Sequence, residues 1–500
     1  MTWYGSVRDG RPRDEAAIIV RAFAEHDIDI SVVATDDGWI EFMYAEDQLL
    51  AREQYLEQIR EVLGDRAGLA VIRRVIRDVV LVRIIFPDEH GGKSVDGNDR
   101  TSEGNAEHSP EPDRPAEGDD RQQPPLLRLL DEIDSALGPG IATLNHVVTA
   151  ANGNPTGCPA TEPQEVYDPK PYPPICPGSG GEGVRIYVAD TGIVDGTVAT
   201  CSWLGGVTGD PDPSAPPAAP IQPYGGHGTF VAGVIRSLAP AAEIVVRSVF
   251  DIAGSALEAD FVPKLYEGFT FGAEIFHITV ASPTRHNLPL IAFEAWLQDL
   301  HQHKGVVCIA PAGNNSSRKP FWPGAFPGII AVGALATDWC SRAWFTDYGG
   351  WVDVYAPGES LVNAFATGTF KCRVAPFKDQ VRTFSGMAQW SGTSFSTPIV
   401  TGLIAERMAR CGESAREVAA ALLAKARAQA IPGVGPVLFP CCHDDERCGH
   451  CGGYGPRCGC GEGRRGCGCG GGCGCAGCGG GRGCGDGYGS GHGRLGHRPR

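Results

Sequence analysis

The sequence predicts an α/β protein: a doubly wound, mostly parallel sheet, preceded by a small N-terminal α/β domain and followed by a Gly/Cys-rich disordered tail. Three observations predict it. Between Val184 and Ala430, apolar runs of strand length alternate with helical patterns, which specifies a parallel sheet covered on both faces. Residues 1–86 carry their own, shorter alternation of helix and strand signals. Apolar side chains then become too sparse to build a core in two places, residues 87–125 and 439–500.

Within residues 1–86, Ala16 to Phe23 has helical apolar spacing, and Ile30 to Ala34 reads as a strand. Trp39 to Tyr44 is its hairpin partner across Asp37-Gly38. A second helix is expected from Glu46 to Leu63, and Val79 to Phe86 completes a ferredoxin-like arrangement. From Pro87 to Pro125, Val95 is the sole large aliphatic side chain, so this segment is a disordered linker and a natural place for a cleavage that separates two domains. Residues 126–183 lead into the large domain through two helices, Leu126 to Leu137 and Ile141 to Ala150. A Pro-rich strap, Pro155 to Pro177, follows. The large domain, 184–438, has strands at Val184–Ala189, Ile244–Val249, Ile275–Val280, Val306–Ala310 and Ile329–Val332.

The chain has 500 residues, too many for one ordinary core, with 42% hydrophobic and 20% charged side chains. Its net charge of -16 argues against a nucleic-acid or anionic-membrane partner for the protein as a whole. No apolar run approaches the roughly 20 residues that span a bilayer, so no membrane span is expected. The first residues lack the basic, apolar and small-residue regions of a secretory signal, which predicts a cytoplasmic protein with its 19 cysteines as thiols. An oxidising compartment would instead allow a pair such as Cys158 and Cys176.

Three motifs carry the chemistry, in one order: Val188-Ala-Asp-Thr-Gly192, Gly226-His-Gly-Thr229 and Gly392-Thr-Ser-Phe-Ser-Thr-Pro398. Each alone has a structural explanation, as a strand-end turn, a helix start or a buried polar cap. Together they supply an acid, a base and a nucleophile in Asp190, His227 and Ser394. A serine hydroxyl is a poor nucleophile at neutral pH and needs an imidazole to take its proton and a carboxylate to orient that imidazole. Asp190 follows a predicted strand, where parallel sheets gather reactive groups. His227 and Ser394 each open an apolar helix, with the His227 ring projecting from its helix end and Pro398 in about the first turn of the Ser394 helix. A helix beginning at the nucleophile offers unpaired N–H groups to a developing oxyanion, and Asn314, after another predicted strand, offers a side-chain donor.

With these residues in hand, the chain resembles the subtilisin-like serine proteases, the subtilase family. The resemblance covers about residues 180–430 and includes the three motifs, the Asn314 segment, Pro323–Ala334 and Phe345–Gly358. It implies a seven-stranded parallel sheet, peptide-bond hydrolysis through an acyl-enzyme, and a protein or peptide substrate that pairs as an extra strand. Substrate would lie along Thr279, Val280 and Ala281 on one side and Ala312 and Gly313 on the other. His277 stands where Asn is usual and Ala281 where Gly is usual, while Phe321 and Trp322 are bulky for a pocket wall, which points to a small side chain on the acyl side of the cleaved bond. The layout of residues 1–86 resembles the prodomains of such proteases. A regulatory domain unrelated to maturation is the alternative.

The chemistry requires no cofactor. Structural calcium occurs in many relatives, but its ligands cannot be placed here. The tail holds 12 of the 19 cysteines; Cys448-Gly-His-Cys451 has the spacing of a zinc or other soft-metal site. A low-complexity tail and a tail that contacts RNA, membranes or another partner through its arginines are the other readings. For the whole chain, the expectation is a serine endopeptidase. A dedicated processing protease for one partner or modified peptide, and an inactive binding scaffold, stand as alternatives, and no oligomeric state is predicted.

Overall fold

A computed structural model describes residues 3–4, 11–35, 40–87, 123–150, 160–167, 169–250, 253–373 and 376–440. The expected hairpin turn at Asp37-Gly38, most of the linker and the cysteine-rich tail with Cys448 and Cys451 lie outside these residues.

The N-terminal region begins with β1 (Trp3–Tyr4), α1 (Arg11–Ala24) and β2 (Ile30–Ala34), followed by the long β3 (Ile40–Arg52). β3 pairs with β2 in its first half and turns into a second partnership in its other half. Glu46 to Arg52, expected as helix, is therefore strand, and the helix that follows, α2 (Leu56–Leu63), is short. β4 (Gly68–Ile76) and β5 (Val79–Ile85) complete a hairpin. After the linker come α3 (Pro125–Leu137) and β6 (Ala142–Thr149), and β6 corrects the helix expected over Ile141 to Ala150. All eight β6 residues are buried, but Asn145 and His146 interrupt the apolar run by which a strand covered on both faces shows itself in sequence.

α3 and β6 are integral to the N-terminal unit. The strands run in the order β4-β5-β3-β6, all antiparallel, with α2 and α3 packed together on one face. This β-α-β-β-α-β path is ferredoxin-like, but not within residues 1–86 as expected: it is assembled from residues on both sides of the linker and leaves α1 and β2 outside it. Its core joins Leu49, Ile59, Val80 and Val82 to Leu126, Leu130, Ile133 and Leu144.

The large unit follows the order β7 (Arg185–Asp190), α4 (Thr197–Thr200), β8 (Thr208–Gly209), α5 (His227–Leu238), β9 (Glu243–Ser248), β10 (Ser255–Leu257), α6 (Glu258–Lys264), α7 (Tyr266–Phe271), β11 (Ile275–Ile278) and α8 (Ile291–Leu300). Then come β12 (Val307–Pro311), β13 (Ile329–Leu335), β14 (Val354–Pro357), the antiparallel hairpin β15 (Leu361–Lys371) and β16 (Val381–Trp390), α9 (Thr393–Cys411) and α10 (Ala415–Ala428). Seven parallel strands form the central sheet in the order β14-β13-β12-β11-β7-β9-β8. All five strands expected from the sequence are present; β8 and β14, short at two and four residues, complete the sheet.

The described part of the Pro-rich segment, 160–167 and 169–177, is a strap. Gln164 bridges to Gln389 of β16 and Tyr172 to Val362 of β15, and Trp390 Nε1 donates to the Thr161 carbonyl at 2.6 Å. Cys176 and Cys340 are each disulfide-bonded, against the expectation of thiols throughout; chain position does not reveal which sulfurs meet in space. Cys201, Cys308 and Cys372 are buried thiols, and Cys411 is an exposed one. Among the described residues no helix is long and apolar enough to cross a membrane.

Candidate active site

β7 lies inside the parallel sheet, between β11 and β9, and ends at Asp190, so its carboxylate emerges at the carboxyl edge. α5 starts at His227 because Gly226 adopts a left-handed backbone, φ 84°, that turns the chain into the helix. The imidazole Nδ1 lies 2.8 Å from Asp190 Oδ1 and 3.0 Å from Oδ2. The Thr191 N–H donates to Asp190 Oδ1 at 2.7 Å, which fixes the carboxylate plane. Both the Asp190 and His227 side chains are fully buried, so the projecting histidine expected from its helix-end position is instead covered. Phe395 and Trp390 cover it from one side, with ring centroids 5.2 and 5.7 Å from the imidazole.

α9 begins at Thr393 and places Ser394 in its first turn, where backbone N–H groups have no helical partner. Pro398 sits in the second turn, one turn later than expected. Asn314, just beyond β12, is anchored by its oxygen: Oδ1 accepts from the Thr393 N–H at 2.8 Å and from Thr393 Oγ1 at 3.0 Å. With the oxygen held there, the amide NH2 is the opposite end. Positive helix-end potential and an amide donor therefore border Ser394, the requirement for holding an oxyanion.

The Ser394 hydroxyl is engaged by the chain itself. Its Oγ donates to the Ala150 carbonyl at 3.3 Å, while His227 Nε2 has no hydrogen-bond partner. β6 delivers Ala150 there. On one side β6 pairs antiparallel with β10, Thr149 opposite Ser255 and Val147 opposite Leu257, and the Ala150 N–H donates to the Gly254 carbonyl at 2.8 Å. On the other side the Ala281 N–H donates to the Thr149 carbonyl at 3.1 Å, and Ser282 Oγ donates to the Val147 carbonyl at 2.9 Å. An extended segment thus lies in a cleft between two backbone edges, both of which it satisfies.

Of the residues expected to border substrate, Ala281 makes this contact directly. Thr279 turns its hydroxyl to the Ala189 carbonyl at 2.8 Å, and Val280 and Ala312 are buried beneath. The Gly313 N–H donates to Thr393 Oγ1 at 3.2 Å, and a Cβ at this glycine would lie 2.7 Å from a Phe321 ring carbon, so the phenyl packs against it. Trp322 pairs with Ser282 through both backbone hydrogen bonds. Ala281, Phe321 and Trp322 are all buried around this end of the cleft.

His277 is buried on β11, and burial pushes its pKa down to about 3. Thr401 Oγ1 donates to the Thr397 carbonyl, so the His277 Nδ1–H donates to Thr401 at 2.8 Å and the ring is neutral. Two participants escaped the sequence reading: β6, whose apolar run is interrupted by the buried Asn145 and His146, and the Phe230–Phe395–Trp390 cluster behind His227, whose ring centroids lie 4.4 to 5.9 Å apart.

Residues 181–438 match the Subtilase family. The thermophilic serine proteinase of Bacillus sp. (strain AK1) is 30% identical over 243 residues, 45% of this chain and 52% of that protein. Thermitase of Thermoactinomyces vulgaris is 28% identical over 271 residues, 52% of this chain and 85% of that protein. The chain thus spans about half the length of the Bacillus relative. A solved structure of a cold adapted subtilisin-like serine proteinase is 21% identical, with 53% of this chain and 91% of that chain covered and a TM-score of 0.41.

Proposed function

The chain belongs to the subtilase family, and from that premise we propose that it is a serine endopeptidase whose first substrate is its own chain. Ser394 attacks a peptide carbonyl, His227 takes the hydroxyl proton and later returns it to the leaving amine, and Asp190 holds the imidazole in the required tautomer. Asn314 and the Ser394 N–H bind the oxyanion, and water then releases the acyl-enzyme. No cofactor enters these steps.

The observation that carries this reading is the path of β6 through the cleft to Ser394. Two-sided backbone pairing fits a peptide of any sequence, so affinity comes from the main chain and selectivity from what each side chain meets. The cut falls at one of the two peptide bonds flanking Ala151, directly beyond the segment held in the cleft, and not in the linker at 87–125. Either bond puts an alanine on the acyl side, in agreement with the narrowing by Ala281, Phe321 and Trp322. The same segment blocks the cleft until it leaves, which accounts for restraint of the enzyme before maturation.

Digestion of casein by wild type and by Ser394→Ala tests the activity. Hydrolysis by wild type and none by Ser394→Ala is expected; equal hydrolysis by both, or none by either under conditions where the N-terminal unit has been removed, contradicts the reading.

A further inference from the structure

Asp212 lies in the loop between β8 and α5, 4% exposed, and touches none of the reacting atoms. Its carboxylate collects three donors. Oδ2 accepts from Thr191 Oγ1 at 2.9 Å and from the Gly226 N–H at 2.7 Å, and Oδ1 accepts from the Ser214 N–H at 2.8 Å. Thr191 Oγ1 in turn accepts from the Gly228 N–H at 3.1 Å, and the Thr191 N–H is the group that fixes Asp190. One carboxylate therefore ties the residue after Asp190 to the residues on both sides of His227.

We propose that Asp212 is a positioning residue for the triad, holding the loop after β7 and the start of α5 in the register that aligns the Asp190 carboxylate with His227 Nδ1. The proposal rests on the triad assigned above and adds the group that sets its alignment. The two segments are 37 residues apart in the chain; they meet through Thr191 and Asp212 around Asp190 and His227 themselves, and further along through the Val194 N–H, which donates to Thr229 Oγ1 at 2.8 Å.

Burial is the largest influence on Asp212 and raises its pKa to about 6; the Asp190 charge adds to the rise, and the three N–H and O–H donors oppose it. Among the described residues Asp190 is the charged group that acts on it, while Asp210 in the same loop is engaged by Arg247 at 2.8 Å and by the Ser248 N–H. Above about pH 6 the ionised carboxylate accepts from all three donors. Below it, one oxygen carries a proton and the double acceptance at Oδ2 competes with it, so alignment weakens. Because the imidazole must also be unprotonated to act as a base, the acid limb of the rate should fall more steeply than a one-proton curve.

The test measures kcat and KM against pH for a short peptide anilide with alanine at the reacting carbonyl, using the purified full chain and its Asp212→Asn, Thr191→Val and Thr191→Ser variants. Asp212→Asn should lower kcat about 10-fold or more with KM little changed, and should reduce the acid limb to a one-proton slope. Thr191→Val should lower kcat likewise, and Thr191→Ser, which keeps the hydroxyl, should retain it. Wild-type kcat and slope in Asp212→Asn would overturn the proposal, as would equal losses in the two Thr191 variants. If Asp212→Asn does not fold, the Thr191 pair decides. A wild type that stays silent after its N-terminal unit has been removed would instead remove the premise, the triad assignment itself.

Discussion

A methyl group on Gly228 would run into the Gly192 carbonyl oxygen and lie 3.1 Å from Asp190 Oδ1, so the start of α5 can approach the carboxylate only because this residue has no side chain. Gly228→Ala should therefore separate His227 from Asp190 and lower kcat about 10²-fold, since misplacement of about 1 Å costs that much; circular dichroism should show the fold retained. Asn314→Ala removes the donor whose orientation Thr393 fixes, and kcat should fall about 10²–10³-fold with KM little altered. At this scale the sequence was most legible. Asp190, His227, Ser394 and Asn314 converge because each closes or opens a strongly periodic element, and such ends can be read from pattern. Asp212 could not be read: it lies in a Pro-rich loop without periodicity, and its importance comes from contacts made 21 and 14 residues away.

Strands exposed to one kind of environment were legible as elements, and strands in mixed ones were not. β7, β9, β11, β12 and β13 appear as apolar runs because both their faces are covered by helices. β6 fails the same test because Asn145 and His146 interrupt its apolar run while being buried themselves, Asn145 Oδ1 accepting from the Ala259 N–H at 3.1 Å. β4, with Arg73 and Arg74 within it and Val71 and Ile72 exposed, has little alternation at all. His146 also makes β6 sensitive to acid. Its Nε2 accepts from the Arg285 N–H at 3.3 Å, and burial, assisted by the Arg285 charge, lowers its pKa to about 3. The folded chain thus keeps the ring neutral while the unfolded chain protonates it near 6.5, so this residue's contribution to stability is present above about pH 6.5 and is lost as pH falls toward 3. Thermal melts of Ser394→Ala and of Ser394→Ala with His146→Gln should converge with the acid loss reduced in the second; an identical pH dependence would contradict the assignment.

Across the whole molecule, the N-terminal sheet lies on α6 and α8 with basic residues facing acidic ones. Arg52 pairs with Glu294 at 2.5 Å, Arg73 with Asp260, Arg77 with Asp299, and Lys319 with Glu41 at 3.2 Å. Arg285, 5% exposed, is clamped by Asp131 and Asp134 of α3. The exposed pairs are each worth roughly 0.2–1 kcal/mol and are screened by salt, whereas Arg285 is shielded from it. After cleavage, the N-terminal unit should co-elute with the large unit at about 0.05 M salt and separate increasingly toward about 1 M, and Arg285→Ala should release it at low salt. Co-elution independent of both would show that apolar contact alone holds the units together. The two-unit plan was visible in composition, but the linker was misleading about ownership: α3 and β6 follow it in sequence and complete the sheet before it in space.

The measurement that addresses the central claim most directly is the intact mass and N-terminal sequence of purified wild-type chain beside Ser394→Ala. A self-cleaving protease gives a wild-type fragment that begins at Ala151 or Asn152, absent from Ser394→Ala. A wild-type chain cut elsewhere, or the same cut in Ser394→Ala, would contradict the account that β6 presents its end to Ser394 as substrate.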